Sequence, residues 1–203
     1  MTSIVVFGGN GYAGGHIATE ATSRGLSVTS VSRSDGSTGR AGSVTDPELV
    51  AELAQQADVL VVAVPAQAAL ESVNSLIATA IANGSRLAVV GGAGSLLVSP
   101  DGPRLVDTPD FHEEWKAEAL AHAQVLDALR DAPAELDWFY LSPAALFGAW
   151  TPGEATGSYR SGTDVLLTDA DGKSEISGVD FALAFVDEIV QPAHRRSRFT
   201  VAH

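Results

Sequence analysis

Residues Ile4 to Gly14 read Ile-Val-Val-Phe-Gly-Gly-Asn-Gly-Tyr-Ala-Gly, an apolar run that breaks into glycines and continues at helical spacing. Four apolar residues in succession, β-branched and aromatic, predict a strand buried on both faces. Behind the turn, Tyr12, Ile17, Ala18, Ala21 and Thr22 recur at helical spacing, and Gly25 is placed to end the helix. Gly8, Gly11 and Gly14 fall three residues apart between strand and helix. In such a unit the first glycine permits a sharp turn, the second lets backbone approach a pyrophosphate, and the third lets helix pack on strand. The anion then rests on free N–H groups at the positive end of the helix. The context of strand before and helix after gives the glycine spacing its meaning, and it predicts dinucleotide binding.

The next strand spans Ser27 to Ser32 and leads into Arg33, Ser34 and Asp35. This is where an adenosine ribose is read, about 20 residues past the glycines. The guanidinium of Arg33 suits a 2′-phosphate, with Ser32 and Ser34 as further donors, and predicts NADP(H) as the preferred cofactor. Asp35 would accept from a free 2′-hydroxyl and keeps NAD(H) open. Gly36 to Ser43 reads as a polar loop. Asp46-Pro47 starts a helix, with Asp46 as its cap. Val59 to Val64 is a continuous apolar strand, so Ala63, Val64 and Pro65 are placed at its carboxyl end beside the cofactor. Gln67 to Ala82 reads as a helix closed by Asn83-Gly84, and Leu87 to Val90 as a fourth strand.

This β-α-β-α-β-α-β order predicts an α/β Rossmann-like fold, a doubly wound parallel sheet with helices on both faces. Its ligands belong outside the carboxyl ends of the strands, at the switch point. Gly91-Gly92-Ala93-Gly94-Ser95-Leu96 follows the fourth strand. Three glycines imply close backbone approach or positive φ. Ser95 reads either as a hydroxyl polarising a substrate carbonyl or as the cap of a local turn. Leu97 to Asp110 reads as a surface loop, Phe111 to Arg130 as a helix, and Asp137 to Leu141 as a fifth strand ending in Ser142-Pro143-Ala144.

The last third changes character. Ala145 to Gly162 is glycine- and aromatic-rich, Val165–Leu167 and Glu175–Ile176 flank a turn as a hairpin would, and Ser177 with Asp180 caps a helix reaching about Val190. Arg198 to Val201 suggests a last short strand. Residues 1–203 therefore read as one domain, in which about 145–203 covers the substrate side and Phe147 and Trp150 shape an acceptor pocket.

Composition narrows the functional classes. A net charge of −13 opposes nucleic-acid and anionic-membrane partners. No cysteine is present, which removes disulfides, thiol nucleophiles and zinc–thiolate sites. His16, His112, His122, His194 and His203 lack metal-ligand spacing, so no metal is expected. No apolar run approaches the ~20 residues of a membrane span, and no basic leader precedes the first strand. The expected location is the cytoplasm, as a monomer or homodimer. The Gly-x-Ser-x-Gly elbow is missing because Leu96 and Leu97 follow Ser95, and Leu167 spoils the phosphate-loop pattern ahead of Gly172-Lys173-Ser174.

The glycine turn, Arg33 and the segment Val89-Val90-Gly91-Gly92-Ala93-Gly94-Ser95-Leu96 together resemble the atypical short-chain dehydrogenase/reductases. The nearest group is the small NAD(P)H-binding proteins known as NADH-flavin reductases, with NmrA-like and biliverdin-reductase-B-like relatives. The resemblance extends through Asp107-Thr108-Pro109-Asp110-Phe111 and Trp138 to Ala144. It implies that Gly8, Asn10, Gly11, Tyr12 and Gly14 contact the pyrophosphate and its ribose, and Arg33 the adenosine end. Ala63, Val64 and Pro65 would line the middle of the cofactor. Gly92, Ala93 and Ser95 would flank the nicotinamide, with Pro143 and Ala144 opposite.

One departure shapes the functional expectation. Four residues beyond Tyr12, Tyr140 and Tyr159 stand His16, Ala144 and Thr163, so the Tyr-x-x-x-Lys pair of ordinary short-chain dehydrogenases is absent. His112 and Lys116 repeat its spacing with histidine for tyrosine, and read either as an acid/base pair or as a solvated helix start. The expected reaction is hydride transfer to a small planar acceptor such as a flavin or quinone, where positioning outweighs a protein acid. A non-catalytic NADP(H) sensor fits the same features. Epimerase or dehydratase chemistry on a nucleotide sugar fits less well.

Overall fold

The apolar runs become sheet because successive side chains leave a strand on opposite faces, and both faces here are covered. In a computed structural model, which describes residues 1–33 and 39–203, Ile4, Val5, Val6 and Phe7 are all buried. The strands are β1 (Ser3–Phe7), β2 (Ser27–Ser32), β3 (Arg40–Ala41), β4 (Val59–Val62), β5 (Arg86–Val90), β6 (Trp138–Ser142), β7 (Arg160–Gly162) and β8 (Ser197–Ala202). The helices are α1 (Tyr12–Ser23), α2 (Pro47–Ala54), α3 (Ala66–Asn83), α4 (Glu113–Arg130) and α5 (Gly178–Val190).

The eight strands form one sheet in the order β3-β2-β1-β4-β5-β6-β8-β7. Every neighbouring pair is parallel except β7 with β8. Val5, Phe7, Leu60, Val62, Leu87, Val89, Trp138 and Tyr140 join the core under α2, α3 and α4. Ile4, Val6, Val59, Val61, Ala88, Phe139, Leu141 and Phe199 point the other way, under α1 and α5. This is the Rossmann-like, mostly parallel α/β fold that the element order predicts. From β1 the chain passes to β2 on one side and returns at β4 on the other, which opens a crevice at their carboxyl ends.

The helix ends follow their local signals. Asp46 accepts from Glu48 N–H and Leu49 N–H, both at 3.1 Å. Gly84 closes α3 at φ 67°. Ser177 Oγ accepts from Asp180 N–H at 3.0 Å and donates to its carboxylate at 2.8 Å.

The last third departs from expectation. The turn at Asp169–Gly172 forms, with Gly172 N–H donating to Asp169 O, but its flanks do not pair as a hairpin. Val165 bridges Leu97, and Glu175 bridges Leu146. Two such short strands bury nothing alone, whereas these partners carry Ile176 into the core. β3 and β7 stand within stretches read as loop. α5 and β8 do not cover the carboxyl edge: α5 packs beside α1, and β8 extends the sheet from β6.

Candidate functional site

The turn after β1 is built from backbone, and its glycines have different reasons. Gly8 has φ 88°, and a Cβ there would stand 2.0 Å from Ala63 O. A Cβ on Gly14 would stand 2.2 Å from Gly8 O. These two are demanded by packing. At Gly11 the nearest atom is 3.1 Å away, so internal crowding is mild. Gly11 is the N-cap of α1, and no side chain caps that end. The first N–H groups of α1 are left for a ligand. α3 is the contrast. Its first N–H, on Ala66, donates to Glu118 Oε1 at 2.7 Å, so a carboxylate already occupies that end.

Two cavities lie along the carboxyl edge. The first, about 720 Å³, opens over β1, β2 and β4 and brings together Gly8, Asn10, Gly11, Arg33, Ala63, Val64 and Pro65. Asn10 Nδ2 donates to Ser32 Oγ at 2.9 Å, which ties the glycine turn to the end of β2. Ser34 and Asp35, candidates for reading the adenosine ribose, lie outside the described residues. The volume, the open helix end and the glycine approach all fit a dinucleotide, and Arg33 lines the same cavity at the end of β2.

The second cavity, about 580 Å³, opens over β5 and β6. It brings together Gly92, Ala93, Pro143 and Ala144 with Phe147, Trp150 and His112. Trp115 and Trp150 stack at 5.5 Å between ring centroids, and His112 packs on Trp115 at 4.5 Å. The loop after β6 and the start of α4 thus face each other through aromatic rings.

Four candidates from the sequence are not on either wall. Ser95 is held behind the glycine segment, its Oγ accepting from Arg198 Nη1 at 2.9 Å. Arg198 is itself buried on β8 and bonded to Asp164 through Nε at 2.8 Å. Lys116 points from α4 to Glu113 at 2.7 Å and makes no pair with His112. Tyr12 turns its ring away from the crevice: its hydroxyl accepts from Gly178 N–H at 3.0 Å and donates to Pro152 O at 3.2 Å. It joins the starts of α1 and α5, and burial pushes its phenol pKa up. Gly14 serves helix packing beneath the turn.

The structure also supplies residues that sequence reasoning passed over. His122, one turn after Glu118 on α4, lines the second cavity beside Gly92. Its Nδ1 is buried without a hydrogen-bond partner, so the ring meets the cavity on its Nε2 side, 3.7 Å from Glu118 Oε1. Burial pushes its pKa below the ordinary histidine value, and the Glu118 carboxylate opposes that. Tyr140 on β6 explains the doubled glycine. Its ring would collide with any Cβ on Gly91, 2.0 Å away. Its hydroxyl accepts from Gly92 N–H and donates to His122 O, both at 3.1 Å. Burial drives this phenol far above its usual range, so it is a neutral brace. The signal was the i, i+4 spacing of Glu118 and His122, but only the fold shows what that pair faces.

Among the described residues no group of three histidine, aspartate or glutamate side chains could hold a metal, and no helix is long and apolar enough to cross a membrane.

The sequence model of a family described as NAD(P)H-binding matches residues 8–192. The Bacillus subtilis protein YwnB, whose name assigns no activity, is 36% identical over 98% of this chain and 97% of its own. A solved structure from Burkholderia pseudomallei, provisionally named an exported protein, is 39% identical with a TM-score of 0.89, covering 100% of both chains. One from Streptococcus pneumoniae, provisionally named an NADH-flavin reductase, is 32% identical with the same TM-score of 0.89 and 100% coverage of both.

Proposed function

The chain belongs to the NAD(P)H-binding family, and from that premise we propose that it is an NAD(P)H-dependent oxidoreductase acting on a small planar acceptor such as a flavin or quinone. The observation that carries this reading is the second cavity, an aromatic-walled space beside the dinucleotide crevice on the same sheet edge. The Streptococcus pneumoniae relative's provisional name supports it. No tyrosine lines that cavity among the described residues, and Tyr140 is locked as a brace, which disfavours epimerase chemistry.

When bound, the reduced nicotinamide supplies a hydride. The residues of the chain do the rest. The open end of α1 holds the pyrophosphate, and Arg33 favours NADP(H) by meeting the 2′-phosphate. Glu118 fixes the start of α3 just after Pro65, and so the floor between the two cavities. Trp115, Trp150 and Phe147 stack on the acceptor and exclude water. His122 hands a proton from Nε2 to the acceptor; burial favours its neutral ring, and Glu118 opposes that shift without cancelling it. We place the protein in the cytoplasm, where reduced nicotinamide is made.

The test is steady-state oxidation of NADPH and NADH, followed by loss of reduced-nicotinamide absorbance, against flavins, quinones and aldehydes. Turnover with a flavin or quinone is expected. Tight NADPH binding without turnover across that panel would replace this reading with a nucleotide sensor.

A further inference from the structure

The walls of the two cavities differ in charge. Arg33 lies in the first, with Glu71. The second is lined by Asp110, Glu114 and Glu118, and among the described residues no lysine or arginine lines it. Two cations on the flanking segments are paired with carboxylates outside the lining: Lys116 with Glu113, and Arg104 with Asp107, both at 2.7 Å. The two histidines on the wall are His112, packed on Trp115, and His122, which is buried and held toward its neutral form. From β5 and β6 the cavity receives only glycine, alanine, valine and proline, and from the following loop Leu146, Phe147 and Trp150. An occupant therefore meets the rings of Phe147 and of the stacked Trp115–Trp150 pair, with carboxylates at and just before the start of α4.

We propose that the acceptor is an uncharged or cationic planar aromatic, and that Asp110, Glu114 and Glu118 turn away acceptors bearing sulfonate, phosphate or carboxylate on the ring system. This rests on the reductase reading and narrows it. The three carboxylates are exposed at the cavity mouth, where apolar walls focus their field on an entering anion and salt screens it. The chemistry balances simply: the reduced nicotinamide is oxidised by two electrons, and the acceptor gains hydride and one proton.

The test pairs naphthoquinone with its sulfonate. The sulfonate withdraws electrons and makes the ring the stronger oxidant, so driving force alone would favour the charged member. Two readouts are taken. One is kcat/KM for each with NADPH. The other needs no turnover: equilibrium binding of each to NADP⁺-saturated protein through quenching of the Trp115 and Trp150 fluorescence, with Trp150→Phe assigning the signal. The neutral quinone is expected to win by about tenfold or more, the low end of what a one-signed cleft does to association. That ratio should shrink as salt rises and collapse toward one in the double variant Asp110→Asn/Glu114→Gln. Equal or tighter binding of the sulfonate overturns the inference. A binding preference without turnover keeps it and removes the reductase reading. Turnover of both at equal efficiency does the reverse, and binding of neither overturns both.

Discussion

The two halves of the sheet edge are built from different materials. Over β1 and β4 the site is backbone: a turn whose glycines are fixed by contacts of 2.0 and 2.2 Å, and a helix end with no side-chain cap. Over β5 and β6 it is side chain: Trp115, His122 and Glu118 from α4, Phe147 and Trp150 from a loop about thirty residues later in the chain. A backbone site makes the same demand wherever it occurs, so its ligand class can be shared across a family. A side-chain site can be re-lined without disturbing the sheet. The common part of the function belongs to the first region and the particular part to the second.

The sharpest way to break that contrast is to spoil the backbone half. Gly14→Ala places a Cβ 2.2 Å from Gly8 O, with main chain and not a flexible side chain in the way. We expect a loss of about 1–3 kcal/mol in stability, as for other overpacked sites, and dinucleotide affinity down by more than about 100-fold. Because unfolding alone would also abolish binding, Gly11→Ala separates the two effects. Its Cβ meets only Gly8 O at 3.1 Å. The melting temperature should move little while cofactor Kd rises about tenfold, since on the proposed function the methyl group stands in the path of the pyrophosphate. Calorimetry with and without NADPH reads both. An unchanged Kd would mean the crevice does not hold the dinucleotide through this turn.

The next largest effect belongs to the other half. His122→Gln should lower kcat about 100-fold, within the usual range for a positioned acid, with cofactor Kd unchanged. The acid form is required, so the wild-type rate should fall as pH rises through the pKa of His122. That limb lies below the ordinary histidine value of about 6.5, because burial favours the neutral ring. Glu118→Gln should move it lower still. Stability runs the opposite way. The unfolded chain binds the proton more readily, so the native state loses stability as pH falls from about 6.5 toward the lowered value. His122→Gln should flatten that part of a melting curve against pH. A pH profile in which the rate does not fall through that range would leave His122 as wall only.

This contrast also explains what was legible in the sequence. The glycine turn, the Asp46-Pro47 start, the Asn83-Gly84 stop and the Ser177–Asp180 cap each act over a few residues, and each stands where expected. The turn at Asp169–Gly172 was equally legible, but the partners of its flanks, Leu97 and Leu146, are distant in sequence. β8 was readable as a strand, yet its place beside β6 depends on α5 packing against α1. Tyr140 and His122 read as an ordinary strand tyrosine and helix histidine. Their meaning comes from Gly91 and Gly92, about fifty and thirty residues earlier.

A smaller effect is expected at the adenosine end. Arg33→Ala should raise the Kd for NADPH about tenfold and leave NADH unchanged, because one charge-assisted contact to a 2′-phosphate is removed. Paired titrations of both nucleotides measure it. Equal weakening of the two would mean that Arg33 acts on the shared part of the cofactor.

The smallest effect is the one that most directly separates wall from scaffold. Ser95 follows the glycine segment and looks, in sequence, like the hydroxyl nearest the reaction. In the structure it faces β8, where Arg198 donates to it and to Asp164. Ser95→Ala removes one acceptor from a buried guanidinium that keeps its carboxylate. The cost should be about 1 kcal/mol, the scale of a single hydrogen bond, seen as a melting-temperature loss of roughly 2–4 °C. Cofactor Kd and kcat should both stay within about twofold. Lys116→Ala, which loses only a surface pair with Glu113, should change even less. If Ser95→Ala instead cut kcat by 100-fold with stability intact, the glycine segment would have to rearrange during turnover. The second region would then share the backbone character of the first.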